Sequence, residues 1–201
     1  MDFSLDSWQA DFANYGMWEI PAVLAALIYV ILAARRNRWC FLYGFISSAI
    51  YIYLSFHLKL YFDTFINAYY VAMSVYGWID WTKEDVENDA KVLRIGWKKF
   101  SYYSIGIVAL SFILGSLAEN FTDNSLPYWD SFTTLGSLLA TYWVVKRYIE
   151  NWIIWVLVDL VYVFVYLAKG LPLTSVLFFS YTFMAIFGYF NWNTLWKAKS
   201  A

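Results

Sequence analysis

Trp152, Trp155, Asp159, Tyr162 and Tyr166 follow one another at steps of three, four, three and four residues, the spacing that puts side chains on one face of a helix. The face joins one carboxylate to flat aromatic rings. Such a set suits a flat or positively charged ligand, because aromatic faces attract cations and the carboxylate offers a counter-charge or a hydrogen-bond acceptor. Asp159 is the tenth residue of a nineteen-residue apolar run, 150 to 168. In a membrane, an ionisable group at that depth normally faces a bundle interior or an aqueous cavity. The alternative is a structural Asp, protonated or hydrogen-bonded to a neighbouring helix. A second face, Asn67, Tyr70, Ser74, Gly77 and Trp81, repeats the same rhythm. Asn67 both donates and accepts, which suits an amide or a ribose hydroxyl, whereas Ser74 reads first as glue between helices. Tyr43, Ser47 and Tyr51 stand at four-residue steps in the preceding run, and Glu19 and Asp130 mark two run starts, as solvated end charges or as groups that attract a cation.

Other chemistries lack their residues. His57 is the only histidine and Cys40 the only cysteine, which excludes an intrachain disulfide and a CxxC metal or redox site. His57 and Cys40 read as a surface residue and a packing residue. No GxxxxGK[ST] or GxGxxG phosphate loop occurs, so no nucleotide-driven pumping by this chain, no cofactor and no metal are expected. A membrane enzyme would need a nucleophile with its base, or a clustered set of carboxylates, and the sequence holds neither. With 14 basic and 15 acidic residues the net charge is −1, which gives no electrostatic footprint for nucleic acid.

The elements that must position these residues follow from composition. Of 201 residues, 62% are hydrophobic and only 14% charged, against about 25% charged in soluble domains, and the mean hydropathy is +0.51. The solvent is lipid. Seven runs approach the roughly 20 residues that span a bilayer: 17–34, 39–56, 60–81, 101–118, 128–145, 150–168 and 171–192. Lys169, Gly170 and Pro172 separate the last two. No Lys or Arg lies inside any run, as expected when a basic group at mid-bilayer costs about 2.5 to 3.5 kcal/mol. One set of connections plus the C-terminus holds 12 of these residues and the other set only 2, Lys59 and Lys169. Because cytoplasmic loops collect Lys and Arg, the N-terminus is placed outside and the C-terminus in the cytoplasm. Residues 1–16 lack the pattern of a removable signal peptide, and Leu5, Trp8, Phe12 and Tyr15 fit a helix lying flat on the outer surface. The mixed-charge connection 82–100 reads as a solvated link whose basic end meets anionic lipid.

The chain also resembles itself. An offset of 111 pairs Trp18 with Trp129, Glu19 with Asp130, Arg35 with Lys146, Arg36 with Arg147, Gly77 with Gly188 and Trp81 with Trp192. An offset of 113 serves the second helix, pairing Trp39 with Trp152. The expected fold is therefore all-α and integral to the membrane, with seven transmembrane helices as two parallel three-helix repeats joined by a linker helix, the 3+1+3 layout of SWEET-type carriers. The segments are an outer N-terminal stretch, 1–16, a first repeat, 17–81, a cytoplasmic loop with the linker helix, 82–127, a second repeat, 128–192, and a cytoplasmic tail, 193–201. Two equivalent bundles with a site at their interface read as a transporter.

Pro127-Tyr128-Trp129-Asp130-Ser131, the string Lys146-Arg147-Tyr148-Ile149-Glu150-Asn151-Trp152-Ile153-Ile154-Trp155 with Asp159 beyond it, and Tyr76-Gly77-Trp78-Ile79-Asp80-Trp81 together resemble the PnuC-type nicotinamide riboside transporters, over about residues 18 to 196. The resemblance implies a multi-pass carrier of the bacterial inner membrane that imports nicotinamide riboside by facilitated diffusion. A cytoplasmic riboside kinase then traps the substrate for NAD synthesis, and relatives point to a homotrimer. It adds Asn151 to the substrate contacts, giving Asn67, Tyr70, Ser74, Asn151, Trp152, Trp155, Asp159 and Tyr162. Asn67 stands where relatives have Gln, and Asp159 where some have Asn. Relatives of the same fold carry thiamine or riboflavin, so thiamine is the alternative cargo. A proton-coupled carrier using Asp159 or Asp80 is the alternative mechanism, disfavoured because Asp159 alone lies deep. The positively charged pyridinium ring fits the aromatic and carboxylate face, and the lack of Lys or Arg inside the runs fits a cargo without phosphate.

Overall fold

The computed structural model describes residues 17–57, 61–86, 91–122, 125–168 and 172–200. The surface helix expected in 1–16 and the break at Lys169 and Gly170 lie outside them. Seven helices follow in order: α1 Met17–Ala34, α2 Cys40–His57, α3 Tyr61–Val86, α4 Trp97–Phe121, α5 Pro127–Val145, α6 Asn151–Ala168 and α7 Pro172–Ser200. Each covers one of the expected runs to within one residue at its start. α3 and α7 continue past the last apolar residue of their runs, because Lys, Glu and Ala sustain a helix once it has begun. Among the described residues, α1, α2, α4 and α6 are long and apolar enough to cross a membrane. α3, α5 and α7 are as long but carry many hydroxyls, with Asn in α3 and α7 and Asp in α3 and α5, which lowers their hydropathy.

Local chemistry sets the ends. α5 and α7 open on Pro127 and Pro172, where proline loses no hydrogen bond and its fixed φ favours a helix. Pro21 stands in the opening turns of α1, so at most the first bond of that helix is lost. α1 and α5 end alike. The Asn37 N–H donates to the Leu32 carbonyl at 2.9 Å and the Tyr148 N–H to the Trp143 carbonyl at 3.0 Å, the six-to-one bond of a Schellman turn. Arg36 at φ 55° and Arg147 at φ 58° hold the left-handed position. A residue other than glycine costs about 1 to 2 kcal/mol there, so the turn bonds and surrounding packing must hold both arginines.

The chain divides into two compact units, residues 1–33 with 37–88, and 34–36 with 89–201. In the first, α2 lies along α3; in the second, α6 packs on α7, and α5 on both α4 and α6. α4, expected as a linker between triplets, therefore belongs to the second unit, where Gly115 admits the ring of Tyr128 and the Tyr128 hydroxyl donates to Glu119 at 2.6 Å. Phe100 and Tyr103 of α4 lie against Trp143 of α5, while another stretch of the helix is open, with Ile105 70% and Phe112 63% exposed.

The same clasp closes each unit. In the first, the ring of Phe41 on α2 lies over Gly77 of α3 and meets Trp81 edge-on at 4.9 Å and 84°. In the second, the ring of Trp152 on α6 lies over Gly188 of α7 and meets Trp192 at 5.6 Å and 88°. The partner of Trp152 in this geometry is Phe41, which keeps the offset at 111; Trp39, its partner at 113, instead packs half-exposed against Trp78. Thr64 and Ser175, also 111 apart, reach back to the preceding helix, to the Ser55 hydroxyl at 2.9 Å and the Val163 carbonyl at 2.9 Å.

The connection before α4 is more than a solvated link. Val92 is buried, and Leu93 pairs with the α5–α6 turn, its N–H donating to the Arg147 carbonyl while its carbonyl accepts from the Ile149 N–H, both at 2.9 Å. The Ile95 N–H donates to the buried Glu150 carboxylate at 3.1 Å. Arg94 donates to the Asn193 side chain at 2.5 Å and lies over the Trp196 ring at 4.5 Å. Gly96, at φ 82°, then turns the chain into α4, a conformation open to glycine without strain.

Candidate functional site

The α6 face separates into two parts. At the helix start, Asn151 is fully buried and its amide donates to the Tyr148 carbonyl at 2.7 Å. Its Oδ1, like the Nε1 of Trp152, is buried with no hydrogen-bond partner among the described residues. Trp152 is 2% exposed beneath Trp192. These two side chains are part of the packing that joins α6 to its neighbours.

Further along, Trp155 is half-buried at the edge of the cluster formed by Ala140, Trp143, Ile154 and Val158. Among the described residues its ring has no aromatic partner. Asp159 is 5% exposed and makes no hydrogen bond among the described residues, so the structure supplies no helix-to-helix bond of the kind a structural Asp would use. α5 approaches closely at this level, because Gly136 leaves room for Val158, whose Cγ2 lies 2.7 Å from where a Cβ would stand. One turn on, the Tyr162 ring packs on Phe178 of α7 at 4.5 Å, and Tyr166 stacks on the same ring at 5.2 Å and 10°. The Tyr162 ring is thus held by α7.

The α3 face lies in the first unit. The Asn67 amide donates to the Asp63 carbonyl at 2.9 Å, one turn back on its own helix, leaving its oxygen to accept. Tyr70 is half-buried and meets Tyr69 at 5.8 Å. Ser74 is buried beside Gly44 and Tyr29, with its Oγ 3.0 Å from where a Gly44 Cβ would stand, the close helix contact expected of a small polar residue. Ser47 is buried, and Tyr43 and Tyr51 are half-buried on α2. His57 is exposed, bonded to the Tyr53 carbonyl at 2.9 Å, and Cys40 is a buried free thiol. Among the described residues no group of His, Cys, Asp and Glu is arranged to hold a metal.

The sequence did not reveal Glu150 as a backbone acceptor or Arg94 as the partner of α7. The one local signal was Val92, Leu93 and Ile95, apolar residues set among charges.

Four helices among the described residues, long and apolar enough to cross a membrane, mark the class as membrane protein. Residues 16–194 match the family model described as nicotinamide mononucleotide transporter, and the chain belongs to that family. Its relatives are transporters, not enzymes. The nicotinamide riboside transporter PnuC of Escherichia coli (strain K12) is 22% identical, the match covering 87% of this chain and 84% of that protein. The protein of the same name from Neisseria mucosa is 26% identical, covering 98% and 76%. The riboflavin/roseoflavin transporter RibM of Streptomyces davaonensis is also 26% identical, covering 90% and 87%. Among solved structures, that titled the vitamin B3 transporter PnuC aligns with a TM-score of 0.68 over 94% of this chain and 87% of its own, at 23% identity. That likeness supports the helical fold.

Proposed function

We propose that this protein carries nicotinamide riboside across the bacterial inner membrane by facilitated diffusion, for trapping by a cytoplasmic kinase and use in NAD synthesis. The observation that carries the reading is Asp159, buried and without a hydrogen bond among the described residues, on one face with the unstacked ring of Trp155. A carboxylate in that state gains most from a cationic ligand, and the pyridinium ring is one. The riboside is favoured over the mononucleotide because none of the seven apolar runs contains Lys or Arg, and a phosphate taken out of water calls for such partners. Trp155, Asp159 and Tyr162 hold the ring, with Asn151 and Trp152 supporting the start of α6. In the first unit, Asn67 and Tyr70 offer polar groups of the kind that suit an amide or a sugar hydroxyl, while Ser74 packs α3 against α2.

All seven helices cross the bilayer in the 3+1+3 order, with the N-terminus outside and homotrimeric assembly. The paired Schellman turns, the two ring-over-glycine clasps and the Thr64 and Ser175 contacts support the duplication. A second reading, another aromatic vitamin, is favoured by the relative named for riboflavin. Calorimetric titration of the purified protein with nicotinamide riboside, thiamine and riboflavin tests the choice: the riboside should bind most tightly, and tighter binding of either other vitamin would replace it. Facilitated diffusion predicts liposome uptake of the riboside that an imposed inward proton gradient does not accelerate.

A further inference from the structure

Asp159 is not the only carboxylate near the level of Tyr162 along the helix axis. α5 and α6 run antiparallel through the tight turn at 146–150, and Gly136 lies against Val158. Those two residues therefore mark one level along both helices. At about 1.5 Å of rise per residue, Asp159 stands roughly 1.5 Å from that level, Thr133 and Tyr162 stand roughly 4.5 and 6 Å away, and Asp130 stands roughly 9 Å away, all toward the start of α5. The order is that of a ladder with a carboxylate at each end and a tyrosine between them.

Contacts agree with the ladder. Thr133 is buried, and its hydroxyl donates to the carbonyls of Trp129 and Asp130 at 3.0 and 3.1 Å, which ties it to the first turn of α5. By axial level Tyr162 stands within about 1.5 Å of Thr133 and between the two carboxylates. Asp130 is half-buried in the first turn of α5, whereas its counterpart in the other repeat, Glu19, is exposed.

We propose that Asp130 is a second specificity-determining carboxylate, which captures the positively charged ring of the substrate at the start of α5 and passes it along Tyr162 to Asp159. The proposal rests on the transport reading above and adds a station to it. Two carboxylates offset by roughly 7 to 8 Å along the helix axis are separated by about the length of one flat ring, so a cation moving from one to the other meets attraction at both ends of the step. A neutral ligand of the same shape gains nothing from Asp130.

The test compares uptake, by liposomes holding the full chain, of nicotinamide riboside and of its dihydropyridine form, which keeps shape and sugar but lacks the ring charge. Electrostatic capture raises encounter rates by about 10-fold or more at low salt. Asp130→Asn should therefore lower riboside uptake at subsaturating concentration about 5- to 10-fold at low ionic strength, leave the dihydro form within about 2-fold, and flatten the salt dependence. Asp130→Glu should retain most of the wild-type rate. An equal loss for both substrates, or none for either, overturns the role of Asp130. If Asp130→Asn does not assemble, the wild type reads the same point: riboside uptake must fall with salt more steeply than dihydro uptake, and parallel curves overturn the proposal. Failure of wild-type protein to take up either compound overturns the transport reading itself.

Discussion

Trp152 and Trp155 sit three residues apart with similar claims on a ligand, and their surroundings divide them. Trp152 is 2% exposed under Trp192 and over Gly188, so truncation to Ala opens a cavity and should cost about 3 to 5 kcal/mol of stability. Trp155→Ala should leave the melting temperature close to wild type and weaken riboside binding by about 1 to 2 kcal/mol, roughly 5- to 30-fold. Melting curves and calorimetry on the two variants check this, and a reversed pattern would exchange their roles. The face itself was legible in the sequence, because a period of 3.6 and a mid-run Asp need no tertiary knowledge. The division of labour was not. It depends on which neighbour carries a glycine opposite each ring, and Gly188 stands 36 residues from Trp152.

At the scale of elements, glycines are the contact points and need not respond alike. A Cβ at Gly188 would stand 2.6 Å from the Trp152 indole, while one at Gly106 on α4 meets nothing within 4 Å. Gly188→Ala should destabilise by about 1 to 3 kcal/mol through overpacking. Gly106→Ala should be neutral or stabilising by about 0.5 to 1 kcal/mol through lost chain entropy, so thermal melts of the pair isolate the clasp. The helices were legible because lipid enforces long apolar runs. The segment 91–96 was not, since the run of charges around it reads as solvated and its partners at 147–150 and 193–196 lie more than 50 residues away. A backbone N–H seeking Glu150 leaves no periodic trace.

For the whole molecule, the proposed duplication reads in the sequence as an offset of 111, and the Phe41 and Trp152 clasps favour that offset for the second helix over 113. Matching letters favoured Trp39, but packing selects a ring over a glycine, and phenylalanine serves. Orientation rests on the distribution of Lys and Arg, 12 against 2. A cysteine at the exposed Lys98, in a Cys40→Ser background, should resist membrane-impermeant thiol reagents in intact cells and react after permeabilisation; ready labelling of intact cells would invert the topology. The central claim, that the α6 carboxylate and its aromatic neighbours receive a cationic riboside, meets its most direct test in calorimetric titration of wild-type and Asp159→Leu protein of matched melting temperature. The wild type should bind nicotinamide riboside and the variant should lose at least about 30-fold in affinity, since truncating one partner of a buried charge pair costs about 2 kcal/mol or more. Equal binding by the two proteins would contradict the account.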